Sequence, residues 1–407
     1  MNNFEANINN LIKMHQADTK NVGLTRQIAQ LAAGIGDVDT AILFYQKSID
    51  LYPKDSVGYN NLGLLYEKKG DFQNAKNSYL KSLKINDNYE AHYNLGVLFR
   101  KEHDFDNSAA QLKKALRLRM GDVNAQTSLG MTYLTQGKFE EGYKYYYRKN
   151  PDIKKQFNNP WNGTDSAESI LIFCDGGFGD YIMFVRYVPF LKKYFKNILL
   201  LVPQDLEELF KINFPDTEVI ITADNVNYDK SASVMDLPYL LKMDFSQIPC
   251  RGGYLKASDE KAAKYLSNST NKKAGIFYHG NQRVLKNRSI PFEKFRALLE
   301  CETYEFYSLQ RDATDGLKKF DLCNFSDTAG AMQNLDLVIT IDSAAAHLAG
   351  ALGVKTILML PFASEWRWFE DTKSTPWYDS VEIAKQRSEG KWDEVLEEIR
   401  NKICQTT

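Results

Sequence analysis

The chain has 407 residues, 43% hydrophobic and 25% charged, with a formal net charge of −1. That length exceeds one ordinary core, so two or three domains are expected, and the composition excludes a disordered chain. Near-neutrality supplies no field for gathering a polyanion and no basic stripe is visible, so nucleic acid is not an expected partner.

The five cysteines (Cys174, Cys250, Cys301, Cys323, Cys404) are scattered, without a Cys-x-x-Cys pair. Neither a zinc site nor a disulfide framework is suggested, and reduced thiols in a cytoplasmic protein are the expectation. The start, MNNFEANINN, lacks the basic and apolar regions of a signal peptide. Apolar runs such as Ile198 to Val202 are strand-length, short of the roughly 20 residues that span a bilayer.

Residues 1–150 carry an internal repeat. The turn residues Gly36, Gly70, His103 and Gly137 recur at spacings of 34, 33 and 34. A small-residue column (Ala29, Gly63, Gly96, Gly130) follows Ile28, Leu62, Leu95 and Leu129. Bulky columns accompany it: Ala32, Tyr66, Phe99 and Tyr133 before the turn, then Val38, Phe72, Phe105 and Phe139 after it. Small residues where helices touch, bulky ones between them and a tight turn form the tetratricopeptide pattern. Such helix pairs stack because none buries its apolar face alone. Asn61 and Asn94 precede the Leu-Gly pairs on a face expected to line a peptide groove, where an amide donates and accepts together. The equivalents elsewhere are Gln27 and Ser128, and plain solvation of a helix face explains the pair equally well. The array can equally serve to dock a carrier protein or to form a homodimer.

From residue 160 the periodicity changes to short apolar runs alternating with amphipathic stretches. Strands are expected at Ile170 to Cys174, Ile198 to Val202, Val219 to Thr222 and Ser233 to Asp236. A second series runs through Ala274 to Tyr278, Glu305 to Leu309, Leu337 to Ile341, Thr356 to Leu360 and Val381 to Ala384. Strands separated by helices give parallel sheets, with ligands at their carboxyl ends. The break near Ile248 to Ser258 divides two Rossmann-like lobes, 151–255 and 256–407, and a helix is expected over Tyr181 to Tyr194.

The first strand-to-helix turn reads Cys174-Asp175-Gly176-Gly177-Phe178-Gly179-Asp180. Ile182 stands where a dinucleotide fingerprint needs its third glycine, which excludes a nicotinamide-dependent oxidoreductase. Asp180 suits a general base aimed into the cleft, or a helix cap. In the second lobe, Asp342 and Ser343 should open a helix whose exposed N–H groups make a diphosphate site, with His347 one turn in. Asn281, Gln310 and Arg311 follow strand ends, and Arg288 lies in a loop suited to neutralising phosphate. The cluster Trp366-Arg367-Trp368-Phe369 either stacks on a base or sugar or packs beneath the cleft.

Gly179-Asp180, Arg288 to Pro291 and the run Asp342 to Gly353 resemble the heptosyltransferase-like family of glycosyltransferases (family nine), in the branch where tetratricopeptide repeats precede the catalytic lobes. Pro160-Trp161-Asn162-Gly163 and Phe184-Val185-Arg186-Tyr187 extend the likeness. The resemblance implies an all-α tetratricopeptide solenoid followed by an α/β GT-B region. It implies metal-independent, inverting sugar transfer from a nucleoside-diphosphate sugar, with no further cofactor. Asp180 matches the family's base, Arg288 a diphosphate contact, and Asp342 to His347 the nucleotide-sugar loop; Gly177 and Gly179 border the same cleft. Asp175-Gly176 stands where the branch has Glu-Gln, and Arg288 where heptosyltransferases proper have lysine. The alternative is a tetratricopeptide adaptor whose lobes no longer turn over.

Overall fold

The computed structural model describes residues 3–147, 149–266, 271–280, 288–311, 316–369 and 373–404. The chain divides into two compact units, Met1–Gln136 and Gly137–Thr407.

The first unit is all helical: α1 Asn3–Ala17, α2 Val22–Ile35, α3 Val38–Leu51, α4 Ser56–Lys68, α5 Phe72–Ile85, α6 Tyr89–Lys101, α7 Phe105–Leu118 and α8 Val123–Thr135. Each helix from α2 to α8 opens on an Asn or Asp whose side chain accepts from the N–H three residues on: Asn21, Asp37, Asp55, Asp71, Asn88, Asp104 and Asp122. The turns inside the pairs are left-handed, with φ of 85° at Gly36, 79° at Gly70 and 63° at His103. The small column is a contact surface. A Cβ on Gly63 would stand 2.5 Å from the ring of Tyr79, and one on Gly96 would stand 2.7 Å from Leu112.

Helix α9 (Phe139–Tyr146) fits the fourth repeat by spacing, yet it belongs to the second unit. Phe139 meets Phe245 at 4.3 Å, and Tyr146 meets Trp366 at 5.5 Å. The unit boundary thus falls inside the fourth helical pair, because the bulky repeat columns of α9 also fill an aromatic cluster in the second unit.

Two sheets organise that second unit. The first contains β1 Ala167–Phe173, β2 Phe195–Leu201, β3 Glu218–Ile220 and β4 Lys230–Ser233, all parallel, in the order β3-β2-β1-β4. The second contains β5 Lys272–Phe277, β6 Tyr304–Ser308, β7 Lys318–Lys319, β8 Leu337–Ile341, β9 Thr356–Leu360, β10 Ser374–Thr375 and β11 Tyr378–Lys385. Its order is β10-β11-β9-β8-β5-β6-β7, parallel except for the β10–β11 edge. Strand order reverses between β1 and β4 and between β5 and β8, the two switch points where α/β sheets open a crevice.

Three details depart from the sequence expectations. The fourth strand lies at Lys230–Ser233, and Val234–Asp236 is a 3₁₀ turn instead. The helix expected over Tyr181 to Tyr194 is α-helical only over Phe178–Phe184 and continues as 3₁₀ over Val185–Lys193. Pro189 accounts for this, since it lacks the N–H and crowds the carbonyl four residues back. Finally, Cys301 and Cys404 form a disulfide pair with Cα atoms 5.6 Å apart, which corrects the expectation of free thiols at those two positions. Their separation of 103 residues hid the pairing from spacing arguments.

Candidate functional site

The turn after β1 is held from below. Asp175 is buried, and its carboxylate accepts from Lys149 Nζ (2.5 Å) and Ser233 Oγ (2.5 Å), while Asn150 donates to its carbonyl (2.6 Å). These bonds tie the segment after α9 to β1 and β4, the strands flanking the switch point of the first sheet. Asp175 therefore fixes the turn, a role that sequence spacing did not reveal. Above it Gly177 caps the helix Phe178–Phe184, and its N–H donates to Asp180 Oδ2 at 2.9 Å. Asp180 serves the helix start from its third position, and its other oxygen pairs with Arg367. Burial pushes this carboxyl up, but Arg367 and the Gly177 amide outweigh burial and hold it below the usual carboxylate range. Asp180 is thus ionised at neutral pH.

The facing turn follows β8. Ser343 caps the helix Ala344–Ala351 and accepts from the Ala345 N–H at 3.2 Å. That helix packs against Phe178–Phe184 so closely that a Cβ on Gly179 would stand 2.8 Å from His347 Cδ2. His347 is buried, stacked on Trp368 at 4.9 Å, with Nδ1 3.0 Å from the Tyr378 hydroxyl. Burial, with Arg367 nearby, lowers its pKa to about 3, so the ring is neutral and each of its nitrogens has one role. Arg186 lies beneath, donating to the Trp377 carbonyl (2.8 Å) and to the Tyr254 hydroxyl (3.0 Å).

Arg288 is held by two carboxylates. It reaches Asp342 Oδ2 at 2.8 Å and Glu365 Oε1 at 2.6 Å. Burial pushes the Asp342 carboxyl up and Arg288 opposes it. Glu365 also faces Arg367 at 3.8 Å. A chain of alternating charge results: Asp180, Arg367, Glu365, Arg288, Asp342. Arg367 and Glu365 were missed at the sequence level because the two tryptophans beside them drew attention to stacking. Trp366 and Trp368 are fully buried, so they pack beneath the cleft, and they present no face to a ligand.

Beside this chain, at the carboxyl ends of β5 and β6, lies a cavity of about 590 Å³. Phe178, Tyr278, Leu309, Arg311, Phe325 and Ala344 are among its lining residues, and Gly280 and Gln310 join them. Gln310 is spent on the walls: its Oε1 accepts from the Tyr278 and His279 amides, both at 3.2 Å, and its Nε2 donates to the His279 carbonyl at 3.0 Å. Arg311 donates to the Leu322 carbonyl at 3.2 Å and approaches Asp205 at 3.5 Å. Asn281 lies outside the described residues. Its volume, apolar walls and position at strand carboxyl ends are those of a small-molecule cavity. In the first unit, Asn61 donates to the Tyr45 hydroxyl (2.9 Å) and Asn94 to Asn60 (3.0 Å), so both amides brace neighbouring helices.

No helix among the described residues is long and apolar enough to cross a membrane. Two family models, both described as tetratricopeptide repeat, match residues 44–77 and 89–119. Protein FlbA of Caulobacter vibrioides is 24% identical over 314 residues, which cover 65% of this chain and 52% of that protein. The chain thus spans about half the length of this curated relative. The matched share exceeds what Met1–Gln136 can supply, so the likeness reaches into the α/β unit. Among solved structures, MamA is 22% identical with a TM-score of 0.36, covering 38% of this chain and 92% of that one. YrrB, described as a TPR protein with an unusual peptide-binding site, is 21% identical with a TM-score of 0.32, covering 35% and 75%. The family matches, the capped helices and the left-handed turns together make the first unit an array of tetratricopeptide repeats.

Proposed function

We propose that the chain is a glycosyltransferase that moves a sugar from a nucleoside-diphosphate donor to an acceptor hydroxyl, with the repeats engaging a protein or peptide. The observation that carries this reading is the cavity at the carboxyl ends of β5 and β6, lined by Phe178, from the helix start that carries the ionised Asp180, and by Ala344 and Ala345 of the facing helix start. In the reaction the acceptor O–H gives its proton to Asp180 as its oxygen bonds the anomeric carbon. The anomeric C–O bond breaks, and the nucleoside diphosphate leaves with the electron pair. Arg288 and the helix-start amides stabilise the charge that develops on it.

A second reading has its own observation. Asp180 and Arg288 are both tied up in the ion chain, as they would be in an adaptor whose lobes only hold their shape. A thermal-shift panel of UDP, GDP, ADP and CDP sugars separates the two, because a ligand of the native state raises Tm by mass action. A response to one donor is expected, and none from any would sink the transferase reading. With the responding donor, Asp180→Asn should still bind, yet turn over at least ~100-fold more slowly, the scale of general-base catalysis. Unchanged turnover would reduce Asp180 to its part in the helix start.

A further inference from the structure

We propose that Arg367 is a second diphosphate-binding residue of this cleft, and that Glu365 is the internal anion that occupies it until a diphosphate arrives. The inference rests on the nucleoside-diphosphate donor proposed above.

Arg367 is built in with unusual care. Buried tryptophans flank it on both sides, and its guanidinium lies 4.9 Å from the Trp366 ring centroid. A third, Trp377, donates its indole N–H to the Arg367 carbonyl at 2.7 Å. A guanidinium offers five N–H groups in a fixed fork, which suits two phosphate oxygens at once. Here the fork is incompletely used. Nη2 meets Asp180, Nη1 stands 3.8 Å from Glu365, and the buried Nε–H makes no hydrogen bond among the described residues. The 3.8 Å gap between Nη1 and Glu365 is too long for a hydrogen bond, so that end of the fork can take a second anion.

Charge decides which group gives way. Three carboxylates crowd two guanidiniums, so an incoming diphosphate would be repelled unless a carboxylate leaves. Side-chain exposure is 7% for Asp342, 17% for Asp180 and 29% for Glu365. Glu365 is nearest to water and bridges both guanidiniums, so its departure costs least and frees two phosphate ligands together. The phosphates then take the place of its two oxygens, one against Arg288 and one against Arg367.

The test is calorimetric titration of the full chain with UDP, GDP, ADP, CDP and inorganic pyrophosphate. Wild type, Glu365→Gln, Arg367→Gln and the double variant are compared. Removing one charge a few ångströms from a bound anion in a partly buried site should tighten the binding diphosphate roughly tenfold in Glu365→Gln. Arg367→Gln should weaken it by a similar factor, and the gain from Glu365→Gln should vanish in the Arg367→Gln background. If Arg367→Gln fails to fold by circular dichroism, the single Glu365→Gln comparison still decides. Binding to wild type that is equal to or tighter than binding to Glu365→Gln overturns this inference and leaves the transferase reading standing. Binding of no diphosphate to either protein overturns both.

Discussion

Replacing Gly179 with alanine puts the contact between the two facing helices to a direct test. The new Cβ would lie 2.8 Å from His347 Cδ2, closer than real carbons approach, and 3.5 Å from the Ala344 Cα, an ordinary contact. His347 has no room to retreat, with Trp368 stacked on its ring and Tyr378 on Nδ1. Overpacking of this kind costs about 1–3 kcal/mol. Alanine returns about 1 kcal/mol of helix propensity, so the net loss should be about 0–2 kcal/mol. All five tryptophans (Trp161, Trp366, Trp368, Trp377, Trp392) lie in the second unit, so urea unfolding followed by tryptophan fluorescence reports that unit alone. The decisive form is a double-mutant cycle. In a His347→Ala background the clashing ring is gone, and Gly179→Ala should become neutral or slightly stabilising, a coupling of about 1–3 kcal/mol. Additive effects of the two substitutions would refute the close-approach explanation of Gly179.

Other outcomes follow from the same geometry. Lys149→Ala leaves the buried Asp175 carboxylate without its cation and should destabilise the second unit by about 3–5 kcal/mol, read by the same fluorescence. His347 has its pKa lowered to about 3, against about 6.5 in an unfolded chain. Between those values the unfolded state binds more protons, so stability falls as pH drops through that window. His347→Gln should flatten that part of the stability–pH curve, and an unchanged slope would show the ring is already charged. In the repeats, Gly63→Ala drives a methyl into the Tyr79 ring and should cost about 1–3 kcal/mol. Gly34→Ala, which meets nothing within 4 Å, should instead gain up to about 1 kcal/mol, and circular dichroism with hydrogen exchange on α2 to α5 would distinguish them.

Much of the first unit was legible before any coordinates. The period near 34 residues placed the turns at Gly36, Gly70 and His103, and all three are left-handed. Leu-Gly pairs marked the helix contacts. In the second unit, alternation of apolar runs located most of the strands, and it put Asp180 and Ser343 at the openings of helices that face each other. These signals are local, since cap, turn and strand each depend on neighbours a few residues away.

Partnership was not legible in that way. The pairing of Asp180 with Arg367 spans 187 residues, and that of Arg288 with Glu365 spans 77. Asp180 read alone as a base, Arg288 as a phosphate contact and Arg367 as part of an aromatic cluster, while Glu365 carried no signal of its own. Gln310 read as a ligand contact; it lines the cavity and also bonds the Tyr278 and His279 backbone. Helix α9 read as the last repeat and packs in the second unit. The sequence by itself determined the repeat period, the capped helices and the strand–helix alternation, because each rests on contacts within one turn or one strand of the chain. Only the tertiary structure decided which charges meet, since two sheets must first bring their carboxyl ends together before Arg367 and Glu365 can stand between Asp180 and Arg288.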